Sequence, residues 1–135
     1  MLFRSNPEQQ KAIFHIRGPV LILAGAGSGK TTVLVNRVLN MIRFGNAYES
    51  DFVKATVTDE DLTFLERYLA GEEEDEERLT QVLENDPVRP WQILAITFTN
   101  KAAGELKSRI AQALGEEIGS DVMACTFHSD RKSVV

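Results

Sequence analysis

One cysteine among 135 residues rules out an internal disulfide, and Cys125 has no second cysteine near it for a thiolate zinc site. Such usage fits a reducing compartment and predicts a small buried apolar role for Cys125. Long apolar runs are also missing. The longest, Val20 to Ala24, falls far short of the roughly 18 residues that would suggest a membrane span, and Met1 to Lys11 is polar rather than signal-like. A cytoplasmic protein with no membrane partner is the expectation. Histidine is scarce too: His128 has no ligand partner at metal spacing, and His15 reads as an ordinary partly exposed residue. What remains is an ordinary globular composition, 43% hydrophobic and 26% charged, sized for one domain at most. The net charge of −5 argues little against nucleic acid, because the unbroken acidic run Glu72 to Glu77 supplies −6 and leaves +1 elsewhere. Such a run repels itself and reads as a solvated helix face or loop.

Pro7 to Ile16 reads as a short helix, with Asn6 as N-cap, Pro7 at its first position and Pro19 beyond its end. Val20 to Leu23 has the continuous apolar pattern of a strand buried on both faces of a parallel sheet. A glycine-rich turn follows. Val33, Leu34, Arg37, Val38, Met41 and Ile42 then recur at helical spacing until Gly45 and Asn46 break the pattern. A second such unit runs through Ile93 to Ile96 as strand and Lys101 to Leu114 as helix, closed by Gly115, with a third short strand over Asp121 to Thr126. Alternating strands and helices predict an α/β fold, a parallel sheet with right-handed crossovers.

The first turn, Ala24, Gly25, Ala26, Gly27, Ser28, Gly29, Lys30, Thr31, carries the clearest chemistry. Glycines at 25, 27 and 29 let backbone N–H groups close around an oxygen-rich anion, and the following helix presents its positive end to it. Lys30 adds charge for the β and γ phosphates, and Thr31 offers a hydroxyl to Mg²⁺. The strict phosphate-loop pattern opens with glycine where Ala24 stands, which affects only the start of the loop. A nucleoside triphosphate is implied. Kinases, GTPases, transporters and motors all remain open at this point.

Four blocks narrow the choice: Asn6 to Ala12, the loop Ala24 to Thr31, Ile96 to Ala103, and Thr126-Phe127-His128-Ser129. In this order they resemble superfamily 1 DNA helicases of the UvrD/Rep/PcrA group. The resemblance implies a P-loop NTPase domain of RecA-like fold, ATP and Mg²⁺ as cofactors, and single-stranded DNA and duplex/single-strand junctions as partners. It implies 3′-to-5′ translocation coupled to ATP hydrolysis, in replication or repair. Gln9 matches the glutamine that reads adenine in that family. Taken alone it would pass for a polar helix residue, yet an amide can donate and accept in one paired contact. Ser5 stands where the family usually has leucine. The nucleotide set is then Gln9, Ala24, Gly25, Ala26, Gly27, Ser28, Gly29, Lys30, Thr31 and Thr32, with Lys30 and Thr31 catalytic. Thr97 to Ala103 resembles a DNA-contacting loop: Phe98 offers a face to a base, Thr99 and Asn100 hydrogen bonds, Lys101 charge. On physical grounds alone, a strand-to-helix turn capped by Thr99 or Asn100 fits equally well. Thr126, Phe127, His128 and Ser129 match a second DNA-facing element.

Residues 43–89 form a connection longer than usual and resemble the family less, reading as a helical insertion. Asp59 to Leu69 has Leu62, Leu65 and Leu69 on one face, and Leu79, Val82 and Leu83 suggest a second helix after the acidic run. Asp130 to Val135 does not resemble the helix that follows in relatives and can be encoded by a common sequencing adapter, so it reads as an artefactual tail. The expected domain is thus residues 1–129, an incomplete parallel sheet flanked by helices. The paired acids and arginines that complete hydrolysis are not identifiable in the sequence, so an amino-terminal, inactive fragment is expected. Alternatives are a small-molecule phosphotransferase, a non-catalytic nucleotide- or DNA-binding module, and a helicase-nuclease subunit.

Overall fold

The computed structural model describes residues 6–23 and 29–127. Six α-helices and two strands occur among them: α1 (Pro7–Phe14), α2 (Lys30–Arg43), α3 (Asp59–Leu69), α4 (Glu76–Leu83), β1 (Leu94–Thr97), α5 (Asn100–Leu114), α6 (Glu116–Asp121) and β2 (Met123–Thr126). Short 3-10 turns lie at Ala47–Glu49 and Pro90–Gln92.

β1 and β2 pair in parallel, Leu94 opposite Met123 and Thr97 opposite Thr126, with α5 and α6 connecting them. Period-two alternation gives this ribbon two faces. Ala95 and Ala124 pack on the main core, whereas Leu94, Ile96 and Met123 are exposed on the other side. That core joins Val35, Val38 and Leu39 of α2 to Leu106 and Ile110 of α5 and to Val122. The helical spacings 35, 38, 39 and 106, 110 place each set on one stripe. Gly119 of α6 lies against α5 so closely that a Cβ there would sit 2.7 Å from the Ala111 Cβ.

α1 starts in a capping box: Asn6 Oδ1 accepts from the Gln9 backbone N–H at 2.8 Å, and Gln9 Oε1 accepts from the Asn6 N–H at 3.1 Å. It ends at Phe14, two residues before the expected Ile16. Arg37 explains the early stop, because its Nη1 donates to the carbonyls of Ala12 (2.7 Å) and His15 (2.5 Å), and a longer helix would need the Ala12 carbonyl for Ile16. Asn40, buried in α2, donates to the Ile13 carbonyl at 3.4 Å.

The expected strand Val20 to Leu23 is not formed; the segment has no ladder partner among the described residues, and Leu21 and Leu23 are 84% and 88% exposed. A strand buried on both faces needs neighbours on both edges, and the only ladder among the described residues joins β1 to β2. The third strand begins at Met123 rather than Asp121, which instead ends α6, a helix not anticipated from the sequence. Cys125 is half-buried.

Between α2 and β1 the chain leaves and returns through a narrow neck. Asn46 N–H donates to the Asn85 carbonyl at 2.8 Å, and Asn85 N–H donates to the Phe44 carbonyl at 2.9 Å, bridging Gly45 and Asn85. Gly45 has φ +62°, and a Cβ would meet the Asn85 and Asp86 carbonyl oxygens at 2.3 and 2.4 Å. Only glycine fits there. Beyond the neck, α3 and α4 pack through Phe44, Phe64 and Leu79. Thr58 and Asp75 cap the two helices. The acidic run splits by position: Arg67 pairs with Glu72 and Glu73, Asp75 is a cap, and Glu76 and Glu77 open α4, where carboxylates favour the helix dipole. Arg43 donates to Glu76 (2.9 Å) and Thr80 (3.0 Å), and the Tyr68 hydroxyl donates to Glu76 at 2.6 Å.

Candidate functional site

Two helix starts define the first half of the site. Gly29 takes a left-handed conformation (φ +77°) as N-cap of α2, and among the described residues no side chain caps that end. With no acid in the first turn, the amino end of α2 directs backbone N–H groups and the positive end of its dipole toward any anion that binds there. Lys30 and Thr31 are both exposed on this turn. Ala24, Gly25, Ala26, Gly27 and Ser28 lie outside the described residues. Thr32 is engaged elsewhere, its Oγ1 accepting from Arg109 of α5 at 3.1 Å.

Gln9 lies across from this turn. A Cβ at Gly29 would stand 3.6 Å from the Gln9 Nε2, so the carboxamide and the loop's last glycine are in near contact. A cavity of about 480 Å³ separates α1 from α2, lined by Gln9, Ala12, Ile22, Lys30, Val33 and Arg37 among others. Its lining is mostly apolar, and the polar members are the amides of Asn6 and Gln9, the Lys30 ammonium, the Arg37 guanidinium and the Glu8 carboxylate, a mixture that suits an apolar ring with charged groups attached. The capping box fixes the plane of the Gln9 amide, a group that both accepts and donates. Burial pushes Arg37 below the ordinary guanidinium value, but such a group keeps its charge. The sequence pattern counted Arg37 only as part of a helix. Its position seven residues after Lys30, on the same side of α2, was the signal that it reaches the same cavity.

The second half lies at the carboxyl ends of the strands. Thr97 is opposite Thr126, so the next residues, Phe98 and Phe127, leave neighbouring parallel strands at the same edge. Phe98 is 94% exposed and Phe127 60%. The Thr99 hydroxyl caps α5, accepting from the Ala102 N–H at 3.1 Å, which puts Asn100 and Lys101 on its first turn. Thr97 Oγ1 donates to the Thr99 carbonyl at 2.9 Å and steadies that turn. Thr126 is only 7% exposed, so its side chain belongs to the packing rather than to the exposed edge. His128 and Ser129 lie outside the described residues. Among the described residues no group of three His, Cys, Asp or Glu could hold a metal, and no helix is long and apolar enough to cross a membrane.

Comparison with known proteins agrees with these motifs. The family model of the UvrD/REP helicase N-terminal domain matches residues 5–61 and 76–134. The chain is 34% identical over 124 residues to the ATP-dependent DNA helicase PcrA of Leuconostoc citreum, covering 92% of the chain and 11% of the relative. It is 35% identical over 126 residues to the ATP-dependent DNA helicase Rep of Escherichia coli (strain K12), covering 93% and 13%. With PcrA of Bacillus subtilis (strain 168) the identity is 37% over 124 residues, covering 92% and 11%. The chain thus spans about a tenth of the length of these relatives. Matched over most of its length by one family model, the chain belongs to the UvrD/REP helicase N-terminal domain family.

Proposed function

We propose that this chain is the amino-terminal part, residues 1–129, of the RecA-like ATP-binding domain of an ATP-dependent DNA helicase. That enzyme moves 3′ to 5′ along single-stranded DNA, engages duplex/single-strand junctions and works in the cytoplasm. Residues 43–89 carry an added helical segment. The observation that carries the reading is the single cavity bordered by both Gln9 and Lys30. A ring reader and a phosphate cation bordering one space suit a nucleoside triphosphate better than either group alone.

In this reading Gln9 holds the adenine edge through its carboxamide, which can both accept and donate. Backbone N–H groups from Ala24 to Thr32 enclose the phosphates, and Lys30 balances the charge that grows on the transferring phosphoryl group. Thr31 Oγ1, exposed on the first turn of α2, suits a Mg²⁺ ion brought in with the phosphates; the ion would draw charge from the β and γ oxygens. Phe98 and Phe127 stack on successive bases, while Thr99, Asn100, Lys101, His128 and Ser129 meet the sugar-phosphate backbone. Thr126 holds Phe127 in place from its buried position.

The test is DNA-stimulated ATP turnover by the full-length enzyme. Lys30→Ala should lower turnover at least a hundredfold while single-strand affinity stays within about twofold. Normal turnover in that variant rejects the phosphate-loop role, and turnover indifferent to single-stranded DNA rejects the helicase reading.

A further inference from the structure

α1 is eight residues long and contributes one fully buried side chain, Ile13, to a small cluster with Val33. So slight a core holds a helix weakly, and most of its tilt must come from other contacts. Arg37 and Asn40 of α2 hold the carbonyls at its end. On its other side stands the segment that begins beyond the Gly45 neck. Tyr48 stacks on Phe14 with ring centroids 4.6 Å apart and an interplanar angle of 14°. The next residue, Glu49, lies with Oε1 2.6 Å from His15 Nδ1. Arg17 and Asp86 approach to 3.9 Å, but both are exposed and the pair holds little.

We propose that the 43–89 segment is a buttress for the helix that carries Gln9, with Tyr48 and Glu49 as positioning residues acting through Phe14 and His15. It rests on the base-reading role assigned to Gln9 and extends it to residues that touch no nucleotide. Gln9 lies five residues before Phe14, about 7.5 Å along the helix at 1.5 Å per residue, so freedom at the far end becomes displacement of the amide. A displaced amide loses its paired contact with one base and, with it, the preference for that base. Phosphate contacts at Lys30 lie on α2 and are untouched. The expected signature is therefore a change in nucleotide affinity and selectivity without a change in the chemical step.

The full-length enzyme is assayed for DNA-stimulated turnover of ATP and GTP with Gln9→Ala, Tyr48→Ala, Tyr48→Phe and the double variant Tyr48→Ala/Glu49→Gln. Tyr48→Ala should raise KM for ATP about threefold to tenfold, keep kcat within about twofold and narrow the ATP-over-GTP preference, the range expected for one lost aromatic contact. The double variant should go further, and Tyr48→Phe, which keeps the stacked ring, should restore wild-type values. If Gln9→Ala shifts selectivity while the double variant leaves KM and selectivity unchanged, the buttress is wrong and the Gln9 role stands. If Gln9→Ala leaves selectivity unchanged, both fall. A lower kcat at unchanged KM in Tyr48→Ala overturns the buttress as well.

Discussion

Replacing Gly45 by alanine should damage the protein far more than a glycine-to-alanine change on an exposed turn. Gly45 sits at φ +62°, where an L-residue costs about 1–2 kcal/mol. The added Cβ would also lie 2.3 Å from the Asn85 oxygen and 2.4 Å from the Asp86 oxygen, both backbone atoms that no rotamer change can move. Reaching an ordinary contact requires the strands of the neck to part by about 1 Å, beyond the reach of the Asn46-to-Asn85 and Asn85-to-Phe44 hydrogen bonds, each contributing about 1 kcal/mol. The sum is about 3–4 kcal/mol, a large part of a small domain's stability. Gly71, at φ +78° with nothing within 4 Å of its hypothetical Cβ, isolates the conformational part, so Gly71→Ala should cost only about 1–2 kcal/mol. Urea unfolding of the chain, followed by far-ultraviolet circular dichroism, measures both. Equal losses at the two sites would mean that the neck yields without strain and that the steric reasoning is wrong.

Gly119→Ala should cost about 1–3 kcal/mol in the same assay, because its Cβ would press on Ala111 at 2.7 Å; an unchanged urea midpoint would show that α6 simply slides. Burial raises the Glu76 carboxyl, but hydrogen bonds from Tyr68 and Arg43 outweigh it and leave the group below its ordinary value. The bond to Glu76 raises Tyr68 above the usual phenol range. A lowered carboxyl stabilises the fold above its unfolded value and loses that contribution as pH falls through the folded one; a raised phenol stabilises below its unfolded value and loses it as pH rises through the folded one. Thermal midpoints should therefore decline at both acid and alkaline ends, and Tyr68→Phe should remove the alkaline decline; an alkaline limb that survives in Tyr68→Phe refutes the pairing. Phe98→Ala and Phe127→Ala should each weaken single-strand binding by about 1–3 kcal/mol in fluorescence titrations at fixed salt, and full affinity in both would remove the strand ends from the DNA site.

Local signals were readable in the sequence wherever the relevant partner was close in the chain. The Asn6 cap and Pro7 set the start of α1, and Asp59–Leu69 forms α3 with the bounds its leucine spacing gave. The helix after the glycine-rich turn and the turn after β1 fall where the hydrophobic spacing put them. Reading failed where the deciding partner was distant. Val20 to Leu23 has the composition of a buried strand, but a ladder depends on neighbours that composition does not specify. The end of α1 is decided by Arg37, more than 20 residues away, and the hydroxyl of Thr32 by Arg109. Gly45 was visible as a helix breaker, while the reason it must be glycine lies with Asn85 and Asp86 on the returning chain.

That neck also bears on how the segment beyond it could be acquired. Because Gly45 and Asn85 are already bridged, the two ends of the excursion sit as near neighbours, and α2 and β1 need not shift to accommodate what lies between. Loop-closure entropy grows only with the logarithm of length, so a longer or shorter excursion changes the cost by a few tenths of a kcal/mol once the ends are held. The stretch absent from the family match, residues 62–75, lies wholly on the far side of this bridge. A lineage within this family could therefore gain, trim or replace the tip helices in single steps without disturbing the packing of α2 against α5, leaving selection free to act on whatever the tip does.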